Sequence, residues 1–290
     1  MLNRIKRTYC TIEYFYFDSA SDLVDYLKNA KRCYDKDETV LNNKYSTDRT
    51  ARDSIEWAGG VTYKQALNLL EYGDSELANS IEQVEISKSP ISEKIVNKYF
   101  NDIQGFIPHI PNAIVGIPNS MINIKRTKVN GSSKILNIII DKAVPGYITT
   151  EDFMKCSKVI LNTIDSLEEA GYRCNLYISD GAEFYDKDKV IWLVRLKSSD
   201  EPFNRYKCAF PLAHVAMSRR IFFRATECLT SGIADLSSYG SVLDEYETKN
   251  LVKETFSLAE ASCTSFKLIK LSDLLLKNID KYDLAKDILA

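Results

Sequence analysis

Lys134-Ile-Leu-Asn-Ile-Ile-Ile-Asp141 is the stretch that decides the fold. It is short, rich in isoleucine and closed by an acid, which is how a strand buried on both faces of a parallel sheet reads. Phe153, Cys156, Ile160, Ile164, Leu167 and Ala170 then recur every three or four residues and predict an amphipathic helix. Thr149 or Thr150 can cap its start, and Gly171 supplies the turn at its end. Arg173–Ser179 and Lys189–Lys197 follow as two strand-like runs joined by a polar loop. This order predicts an α/β fold: an open, mostly parallel sheet with helices on both faces.

Upstream, Thr11–Phe17 reads as a strand, and Asp18 or Ser19 caps a short helix carrying Leu23, Val24 and Leu27. Lys31 to Arg52 is polar and aperiodic and reads as a loop. Gly59-Gly60 marks a turn, after which Thr62 caps a helix through Leu70. Gly73-Asp74 breaks that helix, and Ser75 begins another to about Val84. Ser92–Phe100 is polar and helix-compatible. Prolines 108, 111 and 118 then forbid a regular helix and predict an irregular segment packed across the domain surface. Ile122–Val129 reads as a strand, joined to the central strand by the Asn130-Gly131 turn. Residues 1–121 are therefore expected to be an α-rich N-terminal extension packing on the core, and 122–290 the α/β domain.

Downstream, Pro211 can occupy the first turn of a helix to about Leu229, with Val215, Met217, Ile221, Phe222 and Cys228 on its core face. Ser231–Ser241 reads as a connection, Leu243–Ala259 as helix and Phe266–Leu271 as a short strand. Ser272 or Asp273 restarts a helix.

The 290 residues are 45% hydrophobic and 27% charged, the balance of an ordinary globular chain. A net charge of -2 gives no global drive toward nucleic acid or anionic membrane. No apolar stretch approaches the roughly 20 residues that span a bilayer, and the charged Met1–Thr8 start has no apolar signal region behind it. The seven cysteines lack CxxC spacing. Several, such as Cys156, Cys174 and Cys208, sit at core positions and predict reduced thiols in a cytoplasmic protein.

The candidate chemistry is sparse. Asp141 and Asp180 are expected at the C-terminal ends of parallel strands, where α/β sheets open their ligand crevices and paired carboxylates can hold Mg²⁺. Acids also end strands simply because the chain meets water there. His214, with Arg219 and Arg220 after it, fits acid–base or anion-binding work, although no second catalytic group is fixed nearby. On one helix, His214 would share a face with Ser218, and Ala216 with Arg220. Lys125, Arg126, Lys128 and Lys134 form one basic patch, and Arg219, Arg220 and Arg224 another. Interleaved with tyrosines, such patches bind single-stranded nucleic acid, whereas a solvated charged face is the plainer reading. Trp57 with Gly59-Gly60 is either a recognition corner or a staple on the core. No GxGxxG, P-loop or GxSxG motif occurs.

Trp57-Ala-Gly-Gly-Val-Thr-Tyr-Lys-Gln-Ala-Leu67, Ile117-Pro-Asn-Ser-Met121, Ile164-Asp-Ser-Leu-Glu-Glu-Ala-Gly-Tyr172 and Phe210-Pro-Leu-Ala-His-Val-Ala-Met-Ser-Arg-Arg220 resemble, in that order, an uncharacterised family of phage and prophage proteins. The resemblance implies a viral context and brings no activity. The chain departs from it at Pro211, which displaces a helix-compatible residue, and at His109, where an acid is usual. The order strand, helix, strand, strand, helix also resembles a von Willebrand factor A (vWA) fold, in which the third strand runs antiparallel at an edge. That resemblance implies a metal loop of the form Asp-x-Ser-x-Ser. Here the loop is Asp141-Lys-Ala-Val-Pro145, with both serines missing and Lys142 beside any divalent ion, so neither metal nor cofactor is expected.

The expectation is a non-enzymatic protein-interaction module whose partner is another protein, phage-encoded or from the host. Its contact surface would draw on Trp57, Gly59, Gly60, Lys125, Arg126, Lys128, Arg219 and Arg220. The alternatives are a metal-dependent enzyme on phosphate or nucleic-acid substrates using Asp141 and Asp180, and a nucleic-acid-binding accessory protein, which the net charge disfavours. No membrane association is expected.

Overall fold

The computed structural model describes residues 2–6, 11–30, 52–81, 93–130, 135–184, 188–229, 236–255, 266–277 and 283–289. Contacts divide the chain into two units, Met1–Ile86 with Ile135–Ala290, and Ser87–Lys134. The described residues form strands β1 (Leu2–Lys6), β2 (Thr11–Phe17), β3 (Glu93–Asp102), β4 (Ile107–Pro108), β5 (Met121–Asn130), β6 (Ile135–Asp141), β7 (Arg173–Phe184), β8 (Lys189–Lys197), β9 (Leu236–Tyr239) and β10 (Phe266–Lys270).

In the larger unit the sheet order is β1-β2-β8-β7-β6-β10, with β9 paired to β7. Among the five strands β2-β8-β7-β6-β10, only the β7–β8 pairing is antiparallel. The central isoleucines account for this placement. Ile138, Ile139 and Ile140 are all 0% exposed. Ile138 and Ile140 join a cluster with Phe153, Ile160, Phe210 and Ile221. Ile139 faces the other way, against Leu243, Leu251 and Val252. Period-two side-chain alternation in a sheet covered on both faces requires this split.

The Thr150–Glu169 helix carries the chain from β6 to its parallel neighbour β7. Thr149 caps it by accepting a hydrogen bond from Asp152 N, and Gly171 at φ +94° follows its end. Thr62 forms a reciprocal capping box with Gln65 at the start of the Tyr63–Tyr72 helix. Two further helices, Ala20–Asn29 and Ser75–Ser80, bury Leu23, Val24 and Leu27, and Leu77 and Ala78.

Several expectations need correction. β2 is not part of an extension outside the sheet; it pairs in parallel with β8. Its Ile12 and Tyr14 are buried on one face, while on the other Phe15 stacks on Trp192 at 4.4 Å. The antiparallel strand β8 is therefore interior, where the vWA pattern has it at an edge. Ser231–Ser241 is not wholly a connection, because β9 occupies Leu236–Tyr239. Lys31–Arg52 and Ala259 lie largely or wholly outside the described residues, and helix is described over Glu245–Thr255.

The smaller unit is an antiparallel sheet of order β3-β5-β4. Ser92–Phe100 was helix-compatible in pattern, yet Glu93–Asp102 is a strand paired residue for residue with β5. Ile95, Val96, Tyr99 and Phe100 suit a pleated surface better than a helix. β5 pairs with β3 and β4, and not with the central strand as expected. The proline-bearing segment does contain a short helix, Ile110–Ile114, with Pro111 in its first turn, where a missing N–H costs nothing. His109 caps it through Nδ1. Ile107, Ile110, Ile114, Val115 and Ile117 are exposed there, where a packed segment was expected.

Candidate functional site

The residues that carried the sequence hypotheses meet where β6 ends. Asp141 is its last residue, and Lys142 follows. Asp180 lies within β7, opposite Trp192 and four residues short of the strand's end, so it does not terminate a strand as expected. The third contributor is the break after the Arg205–Ala213 helix. Pro211 sits inside that helix rather than in its first turn, and removes one backbone donor. The helix stops two residues later, His214 is extended, and the chain resumes as a π-helix, Met217–Phe222, and an α-helix, Phe223–Glu227. His214 and Ser218 therefore do not share a face of one helix.

Lys142 closes this break. Its Nζ donates to the carbonyls of Pro211 (3.0 Å), Leu212 (2.9 Å) and His214 (3.3 Å), and lies 5.0 Å from the Phe153 ring centroid. An ammonium at a helix C-terminus meets carbonyls that have no intrahelical partner, and it meets the negative end of the dipole. Burial drives its pKa down to about 7, against the pull of Asp180.

Asp141 accepts from Ala143 N at 3.1 Å and from Leu243 N at 2.7 Å. Desolvation still pushes it up to about 7. Asp180 accepts from Gly181 N at 2.8 Å through Oδ1, while its Oδ2 is buried with no hydrogen-bond partner among the described residues. It too is pushed up to about 7 by desolvation, with Ser218, the Gly181 amide and Lys142 acting the other way. Ser218 Oγ itself reaches the Lys142 carbonyl at 3.4 Å. Gly181 is required beside them. A Cβ there would lie 2.7 Å from the Ser241 carbonyl, and the Gly181 carbonyl accepts from both Gly240 N and Ser241 N.

His214 stacks on Phe210 with 5.3 Å between centroids, and its Nδ1 accepts from Ala216 N at 3.0 Å. Burial first, and Lys142 second, lower its pKa to about 4, so the ring is neutral at neutral pH. Arg219 donates to the Trp57 carbonyl (2.6 Å) and the Ile148 carbonyl (2.7 Å), with its guanidinium 4.1 Å from the Trp57 ring centroid. Burial lowers its pKa to about 10, which leaves it charged. Trp57 Nε1 in turn donates to the Gly146 carbonyl at 3.0 Å. Gly59, at φ +81°, is tight against the same centre, where a Cβ would meet His214 and Val215 at 2.7 Å.

Asp141, Lys142, Asp180, His214, Arg219 and Arg220 are all at most 6% exposed. A general base has to reach a proton on bound substrate, and these groups face backbone instead. Arg219 and Arg220 are buried, Trp57 and Gly59 are half-buried, and Gly60 is exposed. Lys125 and Arg126, by contrast, are exposed on β5, while the side chain of Lys128 is outside the described residues. Among the described residues no three of His, Cys, Asp and Glu come together as a metal-binding group, and no helix is long and apolar enough to cross a membrane. Sequence reasoning named Ser218 only as a neighbour of His214 on one helix, and it missed the capping role of Lys142. The three acceptors of Lys142 lie 69 to 72 residues downstream, and no local pattern announces them.

These features define a mixed α/β protein with a closed polar centre. The chain belongs to the family described as a domain of unknown function (DUF7192), whose model matches residues 5–273. No curated protein and no solved structure matches it.

Proposed function

We propose that the chain is a non-enzymatic protein-interaction module working in a phage or prophage context, with residues 103–117 as its docking segment. The observation behind this reading is the exposure of Ile103, Phe106, Ile107, Ile110, Ile114, Val115 and Ile117 within fifteen residues. Apolar side chains exposed at this density mark contact sites. The sealed carboxylates support the same reading from the other side, because the enzyme alternative needs Asp141 and Asp180 open to a substrate. The partner is another protein, phage-encoded or from the host, that presents an apolar face.

Cross-linking capture from cells that carry the gene tests this. The full chain should retain one protein stoichiometrically, and Ile114→Asp with Val115→Asp should release it without lowering the melting temperature, since these side chains are 80% and 75% exposed. Equal capture by wild type and variant overturns the proposal.

A further inference from the structure

We infer that the ribbon of β3 and β5 is a binding platform for single-stranded nucleic acid. The charge of the chain is strongly segregated. Ser87–Lys134 holds seven Lys and Arg against two acids, a net charge of +5 within a chain of net charge -2, so the remainder carries -7. A polyanion attracted to this protein is therefore directed to the small unit.

The register concentrates that charge. Lys98 stands directly opposite Lys125, and Asn97 opposite Arg126. Like charges facing each other across a sheet are destabilising, and neither lysine has an ion-pair partner among the described residues. A bound phosphate would relieve the repulsion.

The aromatic rings complete the platform. Tyr99, Phe100 and Phe106 are 64%, 42% and 52% exposed, and Tyr99 contacts Phe106 at 6.5 Å between centroids. Alternation puts Phe100 on the face of Lys98 and Lys125, and Tyr99 on the face of Arg126. Each face thus pairs a ring with a cation, the combination that stacks bases and tracks a phosphate backbone. No described side chain from 97 to 126 is buried. An acidic protein would satisfy the cations without using the rings, and a duplex hides its base faces; a single strand uses both groups. The inference goes beyond protein docking and rests on other residues than the docking segment's aliphatic ones, so either can fail alone.

The test is fluorescence anisotropy of a labelled oligothymidylate of about 20 nucleotides titrated with the full chain. Phosphate contacts from Lys98 and Lys125, which share a face, give a log–log salt slope of about -1.4, or roughly sevenfold weaker binding between about 50 and 200 mM salt. Lys98→Gln with Lys125→Gln should flatten that slope by about 1.4, and it relieves a repulsion, so the fold is retained. Tyr99→Leu with Phe100→Leu keeps apolar bulk and should weaken binding at least about fivefold through lost stacking. Two results overturn the inference. One is no anisotropy change up to about 100 µM protein at low salt, the weak end of non-specific binding. The other is binding that ignores the ring substitutions and is displaced equally by polyglutamate, which marks an acidic protein partner instead.

Discussion

Lys142→Met is the perturbation that most directly examines the closed centre. Methionine keeps the length of the stem and removes the ammonium, leaving the carbonyls of Pro211, Leu212 and His214 without their donor. It also strips Asp180 of the cation acting on it. Removing one member of a buried charged network costs roughly 3–5 kcal/mol. Burial brings both Lys142 and Asp180 to about 7, so near neutral pH each is already partly uncharged, which moderates the charge part of that cost and leaves the lost carbonyl contacts as the larger part. Urea denaturation at pH 7.5 reads the loss as a midpoint shift of about 1–1.5 M for a slope near 3 kcal/mol/M. Lys142→Met with Asp180→Leu should then cost at least about 1 kcal/mol less than the two single losses added, since groups in one network couple. A loss under about 1 kcal/mol for Lys142→Met, within the range of surface substitutions, refutes the carbonyl contacts. Strict additivity in the double variant refutes the interaction with Asp180.

Ile138→Ala and Ile139→Ala should each cost roughly 2–5 kcal/mol, because each leaves a cavity on its own side of the sheet; chemical denaturation that finds either one below about 1 kcal/mol means that side is uncovered. His214 has its folded pKa lowered to about 4 from 6.5, so its contribution is complete above pH 6.5 and is lost as pH falls toward 4. Asp141 and Asp180, raised, act oppositely between about pH 4 and 7, so the histidine is isolated by comparing wild type with His214→Gln. Between pH 7.5 and 5 the wild type should lose about 2 kcal/mol more than the variant, and parallel pH profiles would contradict the buried neutral ring. Gly59→Ala, forced into a positive φ and against His214 and Val215, should lose roughly 1–3 kcal/mol in thermal or urea unfolding; a neutral result would mean the Trp57 corner is not held tightly. Low-millimolar Mg²⁺ should leave the melting temperature unchanged, and a rise of several degrees abolished by Asp141→Ala would restore the metal-dependent enzyme.

What the sequence disclosed were the features whose cause is local. The isoleucine run at 138–140 carries its own double burial, the Phe153–Ala170 spacing carries its helix, and Thr62 carries its cap, to which the structure adds Gln65. The misread features depend on distant partners. β8 is interior only because β2, more than 170 residues upstream, lies in parallel beside it. Glu93–Asp102 has a helix-compatible pattern and becomes a strand because β5 supplies every partner. Arg219 looks like a surface cation until the carbonyls of Trp57 and Ile148 take its guanidinium inside. His214 reads as an acid–base or anion-binding group until burial and the Ala216 amide take its ring, and the helix expected to carry it breaks where Pro211 and a lysine 72 residues away meet.

The two units place polar and apolar groups in opposite ways, and this bears on how binding and order are linked. In the larger unit, buried charged groups such as Lys142, Asp141 and Arg219 are held by backbone donors and acceptors. In the smaller one, apolar side chains lie in water and none of the described side chains from 97 to 126 is buried. Three strands without a covered hydrophobic face are marginal in isolation. A ligand that covers Tyr99, Phe100 or the 103–117 segment therefore stabilises the ribbon itself, by mass action on its local opening. Amide exchange over β3 and β5 should slow when a partner binds, while exchange in β6, already covered on both faces, stays as it was. Slowing confined to β6 and β7 would place the contact on the larger unit and remove both the docking segment and the ribbon from consideration.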